Sequence, residues 1–194
     1  METKFDAEKH EYRIGGRIVP SVTQVIQGVF GSSPWWSDFH AEVGTALHLA
    51  CAYINQGMEL EQDSVDDAIA GRLAGYRKFL NDIKPKIIIS ERQLYSAKKQ
   101  FAGTIDILFQ DGIKYVLADI KSSYHPTARI QLGGYNVLLA EHNRRVERAM
   151  VIELHKSGDY QLHHLNSREL TLAGNQFLAA LTIYNFKTAN NIKD

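Results

Sequence analysis

The chain of 194 residues can bury one substantial core and is expected to be a single domain, residues 1–194. Its 44% apolar content fits an ordered α/β protein, and one cysteine, Cys51, excludes a disulfide framework or a multi-cysteine metal site. Lys plus Arg and Asp plus Glu number 22 each, so any phosphate-binding surface must be local. The first residues are charged, without an apolar leader, and no run reaches transmembrane length, which predicts an intracellular protein with no membrane partner.

Tyr12 to Val19 reads as a hairpin turning at Gly15-Gly16, and Pro20 to Gly28 as a short helix capped by Ser21. Ser33-Pro34 is a cap and first-position pair for a helix through about Gln56. On it His40, Gly44, Leu47, His48 and Cys51 fall along one stripe. A third helix is expected from Ser64 to about Ile83, with Val65, Ile69, Leu73, Tyr76 and Leu80 inward. Three strands follow, Lys86 to Tyr95, Gln100 to Gln110 and Lys114 to Ile120, the last two joined at Asp111-Gly112. Period two puts Ala102, Thr104, Asp106 and Leu108 on one face of the second strand. In the third it puts Tyr115, Leu117, Asp119 and Lys121 together. A helix from about Pro126 to His142, a hairpin of Arg148 to Lys156 with Tyr160 to Leu165, and a helix from about Arg168 to Lys187 complete the chain. This order predicts a mixed sheet with helices against its faces.

Asp106 and Asp119 sit inside apolar strand segments, where an unpaired carboxylate is costly. Two acids that share a divalent cation, with a lysine beside them, are what metal-assisted phosphodiester hydrolysis needs. Magnesium and manganese prefer oxygen ligands, so Asp106 and Asp119 are the natural candidates, and the Ile120 carbonyl could add a third. Lys121 offers a compact positive charge for the attacking water or the phosphate. The plain alternative is a surface ion pair between Asp119 and Lys121 at a strand edge. Gly103, three before Asp106, would let backbone or substrate approach the strand.

Phe101-Ala-Gly-Thr-Ile-Asp106, a spacer, then Leu117-Ala-Asp119-Ile-Lys121-Ser-Ser resembles the core signature of the PD-(D/E)XK nuclease superfamily. More narrowly it is similar to the RecB-like exonucleases, which include phage and mitochondrial genome maintenance exonucleases. Gly44-Thr-Ala-Leu-His48 matches the helical histidine of that group, and Gln131 with Tyr135 matches its Gln-x-x-x-Tyr motif. The resemblance implies a restriction-endonuclease-like α/β core, a mixed central sheet flanked by helices. It makes Asp106 and Asp119 metal carboxylates, Lys121 the catalytic lysine, His48 a contributor to the metal site, and Gln131 and Tyr135 accessory.

Several residues keep two readings. His48 could aim an imidazole at a metal or be a hydrogen-bonded core histidine. Glu91 could bind the metal through water or accept a proton, or be a strand-end surface acid. Gln131 and Tyr135, four apart, could hold a phosphate, or the ring could simply pack in the core. Ser122 could bond a phosphate. Lys98, Lys99 and Arg129 are the basic candidates nearest the acids in sequence for a DNA track, against plain solvated surface. Trp35 and Trp36 could stack bases or anchor a helix start.

The resulting expectation is a deoxyribonuclease using Mg2+ or Mn2+, an exonuclease in DNA replication, recombination or repair, plausibly encoded by a phage. Its partners would be DNA and a homo-oligomer or a recombination or replication protein. Its compartment would be the cytoplasm of a bacterium or phage-infected host; the N-terminus does not support a mitochondrial version. The alternatives are an endonuclease on the same fold and a non-catalytic nucleic-acid-binding recombination accessory protein.

Overall fold

The apolar runs between Lys86 and Lys121 form a meander of three long antiparallel strands: β4 (Lys86–Ser96), β5 (Phe101–Asp111) and β6 (Lys114–Lys121). A computed structural model describes residues 1–31, 38–60 and 65–192, the side chains of 38–41 excepted. Before the meander come β1 (Thr3–Asp6), β2 (Glu11–Ile14), β3 (Arg17–Val19), α1 (Val22–Phe30), α2 (Asp38–Asn55) and α3 (Asp67–Ile83). After it come α4 (Thr127–Glu141), β7 (Arg148–Leu154), β8 (Tyr160–Leu165) and α5 (Ser167–Ala189).

The main sheet has the order β4-β5-β6-β7-β8. Only the β6–β7 pairing is parallel, because α4 carries the chain back between them. One face is covered by α1, α4 and α5, through Val22, Leu132, Leu138 and Phe177 against Leu117, Ala149 and Val151. The other is covered by α2 and α3, through Leu47, Cys51, Leu73, Tyr76 and Phe79 against Ile107, Val116, Ala118 and Ile120. Buried on both faces, β5 and β6 are apolar almost throughout, which is why an acid within them stands out.

The predicted elements are present, with local differences. The helix expected to close near Gly28 runs to Phe30 and ends at Gly31, whose φ of 80° favours glycine. Gly28 is there for another reason: a Cβ on it would stand 2.7 Å from the ring of Tyr184. Ser21 caps α1 in a capping box with Gln24, as a Ser-x-x-Gln start should. Asp66 caps α3, and the expected starts at Ser33-Pro34 and Ser64 lie outside the described residues. The hairpin at Gly15-Gly16 has a third partner, β1, so the N-terminus forms its own sheet β1-β2-β3. That sheet packs Tyr12, Ile14 and Val19 onto Ala102, where β5 begins.

Candidate metal centre

The β5–β6 ladder runs from Asp111 and Lys114 to Ile107 and Ala118 and then stops. The next pair in that register is Asp106 and Asp119. In place of a ladder bond, the Ile120 N–H donates to Asp106 Oδ2 at 2.8 Å. A residue in a strand turns its N–H and C=O toward the same neighbour, so the Ile120 carbonyl faces the same gap. Two strands thus part at the position where each carries an aspartate.

The β4 strand contributes a second irregularity. Glu91 lies opposite Asp106, and its backbone is left-handed, with φ of 47°. Such a conformation is uncommon for a residue with a side chain and disturbs the alternation of a strand. Phe101 and Ile105 enter the same core cluster as Leu108, although unbroken alternation would set Leu108 opposite to them. Leu94 and Ile89 of β4 are likewise brought to one cluster. The expectation that Ala102, Thr104, Asp106 and Leu108 share one face therefore fails. Ala102 packs with Tyr12 of the N-terminal sheet, whereas Leu108 enters the core beneath α4.

His48 arrives from the opposite layer, on α2, because Leu47 and Cys51 beside it are buried against the sheet. Its Nδ1 stands 3.3 Å from Asp106 Oδ2 and 3.4 Å from Glu91 Oε1. One donor atom from each of His48, Glu91 and Asp106 falls within 4.8 Å of the others. Two ligands about 2.1 Å from one ion lie about 3.0 Å apart at a right angle and about 3.4 Å apart tetrahedrally. The two nitrogen–oxygen spacings fall in that range, and all three donor atoms lie within 4.8 Å of one another, so the group could hold a small divalent cation.

Asp119 stands beside this triad. It is fully buried, and its Oδ1 has no hydrogen-bond donor among the described residues. Lys121 Nζ lies 2.8 Å from Asp119 Oδ2 and pairs with it. Burial, with Asp106 adding to it, pushes the Asp119 carboxyl up to about 7 against the pull of Lys121. Burial also lifts Glu91, against the pull of His48. Asp106 is held low: burial is outweighed by His48, Lys121 and the Ile120 N–H. Burial pulls the His48 imidazole down, but Asp106 and Glu91 carry it up to about 10. Lys121 is likewise raised by Asp119 and Asp106 against burial. Three carboxyl groups thus converge with one imidazole and one ammonium, and the buried Asp119 Oδ1, which has no donor among the described residues, is a group that a cation would satisfy.

Tyr135 and Gln131 meet as their spacing on α4 requires, with Gln131 Nε2 donating to the phenol oxygen at 2.7 Å. Tyr135 is buried, and the acids Asp106 and Asp119 add to the burial that pushes its phenol up. Gly103 serves this ring: a Cβ there would lie 2.9 Å from Tyr135 Cε1. Tyr12 was not singled out by sequence. Its hydroxyl meets Thr104 Oγ1 at 2.7 Å, two residues from Asp106, and no local motif marks that contact.

The basic candidates are placed less centrally. Lys99 pairs with Glu141 and lines a groove between α4 and α5 beside Asn136 and Asn175. Arg129 Nη2 bonds Glu169 at 2.8 Å, while Lys98 and Ser122 are exposed. Trp35 and Trp36 lie outside the described residues, as does the side chain of His40.

No protein-family model and no curated protein sequence matches the chain. Solved structures do. A candidate exonuclease from Eubacterium rectale superposes with a TM-score of 0.56 at 11% identity, over 91% of this chain and 83% of that one. The fold is a restriction-endonuclease-like α/β core. An alkaline exonuclease from Laribacter hongkongensis gives a TM-score of 0.42 at 9% identity, over 88% of this chain and 93% of that one. At such identities the likeness to the first structure speaks for the fold alone. The helices of the described residues include none long and apolar enough to cross a membrane.

Proposed function

We propose that the protein is a divalent-metal-dependent deoxyribonuclease, an exonuclease acting in DNA replication, recombination or repair. The observation that carries this is the convergence of His48, Glu91 and Asp106 donor atoms beside the buried Asp119 carboxylate and the Lys121 ammonium paired with it. His48, Glu91 and Asp106 hold magnesium or manganese, with Asp119 and the Ile120 carbonyl completing the set. When bound, the ion supplies a Lewis acid that acidifies water and neutralises charge on the phosphate. Lys121 is held by Asp119 in its charged form and offers its proton-rich head to the attacking water or the phosphate oxygens. Gln131 and Tyr135 add neutral donors on the α4 side for a phosphate oxygen. Of the readings that the sequence leaves open for Glu91, the metal-binding one is taken here, as a direct ligand rather than through water.

The test uses end-labelled linear and closed circular DNA, single and double stranded, with Mg2+, Mn2+ or chelator, beside Lys121→Ala protein. Metal-dependent loss of the linear substrates alone, abolished by the substitution, is the expected result. Cleavage of circles would replace exonuclease by endonuclease. DNA binding without cleavage in any metal would replace both by an accessory protein.

A further inference from the structure

Beyond Lys121 the chain leaves the sheet through the exposed pair Ser122-Ser123 and enters α4 at Thr127. This short segment follows the lysine directly and also sets where α4 begins, and with it Gln131 and Tyr135. What holds it comes from the neighbouring strands. Lys121 is the last residue of β6 in register with β7, and its partner is Glu153. One oxygen of Glu153, Oε1, accepts the Tyr124 N–H at 3.0 Å. The other, Oε2, meets His163 Nε2 of β8 at 2.8 Å. The His163 ring in turn stacks on the ring of Tyr124, with centroids 3.9 Å apart and planes within 12°. Glu153 and His163 are largely enclosed, with side chains 15% and 20% exposed.

The register explains the arrangement. Asp119, Val151 and His163 form one row across β6, β7 and β8, and Lys121, Glu153 and Gln161 form the next row but one, on the same face. Glu153 therefore lies on the lysine's row and reaches forward over the end of β6, while His163 lies diagonally behind it. A carboxylate that accepts both a backbone N–H and an imidazole N–H is held in one orientation, and the aromatic stack covers it. Neither contact involves His48, Glu91, Asp106 or Asp119.

We infer that Glu153 is a positioning residue for the reaction: with His163 it fixes Tyr124 and so holds the Lys121–Tyr124 segment in the geometry that the acid cluster needs. This rests on the nuclease reading above. Outer residues that orient a reactive group typically change activity by about 10- to 100-fold when removed. Glu153→Ala should lower kcat about tenfold with KM for DNA little changed. Glu153→Gln keeps an oxygen for the Tyr124 N–H and should restore most of the rate.

Glu147 provides a matched control, because its Oε2 accepts the Tyr115 N–H at 3.0 Å near the opposite end of the same strand. Glu147→Ala loses the same kind of bond far from the acids and should leave kcat near that of the unaltered protein. The experiment measures kcat and KM on linear DNA for all four proteins, together with amide hydrogen exchange at Tyr124 and Lys121. Loss of exchange protection at both amides and a fall in kcat in Glu153→Ala, each recovered in Glu153→Gln, supports the inference. Unchanged protection, an unchanged kcat, or an equal fall in Glu147→Ala overturns it. If the unaltered protein does not cleave DNA, the nuclease reading fails, and the exchange data alone decide whether Glu153 holds the segment.

Discussion

Gly103→Ala adds a single methyl group at the point where β5 meets the ring of Tyr135. The new Cβ would lie 2.9 and 3.3 Å from two ring carbons and 3.1 Å from Val22 Cγ2. Carbon atoms normally rest about 3.5–4.0 Å apart, so ring and methyl must separate by roughly 0.6 Å. Tyr135 and Val22 are buried in one packed cluster, which gives little room to yield. Overpacking of this kind costs about 1–3 kcal/mol. A ring shift of that size also stretches the 2.7 Å contact with Gln131, at a further cost of about 1 kcal/mol. Against this stands about 0.4–1 kcal/mol from reduced freedom of the unfolded chain. The net expectation is a loss of about 2 kcal/mol, read as a lower urea midpoint at unchanged slope. In a Tyr135→Ala background only the 3.1 Å approach to Val22 Cγ2 remains, and the same methyl should cost at least about 1 kcal/mol less. A Gly103→Ala protein as stable as the parent, or an equal cost in both backgrounds, would refute the seating of this ring on glycine.

Other outcomes follow from the same geometry. His48→Ala should weaken Mn2+ binding by at least about tenfold in calorimetric titration, since even outer residues of metal sites cost that much. Manganese at about 100 times its Kd should stabilise the parent by about 2.7 kcal/mol in thermal unfolding, and the same concentration should stabilise His48→Ala by no more than about 1.4 kcal/mol. Gly71→Ala should destabilise by more than about 2 kcal/mol in the same assay, although alanine is the better helix former by about 1 kcal/mol. The reason is that its Cβ would fall 2.0 Å from the Lys156 carbonyl oxygen. Burial raises the Glu153 carboxyl, but His163 and the Tyr124 N–H outweigh it and hold it below the ordinary glutamate range. Its contribution is thus complete above the unfolded glutamate pKa of about 4.3 and is lost as pH falls through the lower folded value. Urea unfolding from pH 6 to pH 3 should show a shallower acid decline in Glu153→Gln than in the parent.

Most of the main sheet and its helices were legible because each signal is local. Asp111-Gly112 and Ser157-Gly158 mark turns, and period two in β6 places Asp119 with Lys121. The candidate acids were legible for a related reason, as charges inside runs that are otherwise apolar. What stayed hidden depends on partners distant in sequence. The left-handed backbone at Glu91 and the inverted alternation around it have no local marker, so the face change in β5 could not be read, nor could a choice be made between the metal-site and surface readings of Glu91. Gly103 announces a close approach without naming Tyr135 as the group that comes close. Strand β1 was missed because Thr-Lys-Phe-Asp carries only one large apolar residue, and pairing with β2 supplies the rest.

The bond between the Ile120 N–H and Asp106 Oδ2 gives one carboxylate two employments. It stands in for a main-chain carbonyl where β5 and β6 diverge, and it also faces His48. Removing that side chain with alanine would loosen the sheet and empty the site together, so lost activity would have no single meaning. Asparagine separates the two duties: its amide oxygen can still take the Ile120 N–H while the negative charge is gone. The substitution that tests the proposed chemistry is therefore Asp106→Asn, which keeps the oxygen that the Ile120 N–H needs and removes only the charge.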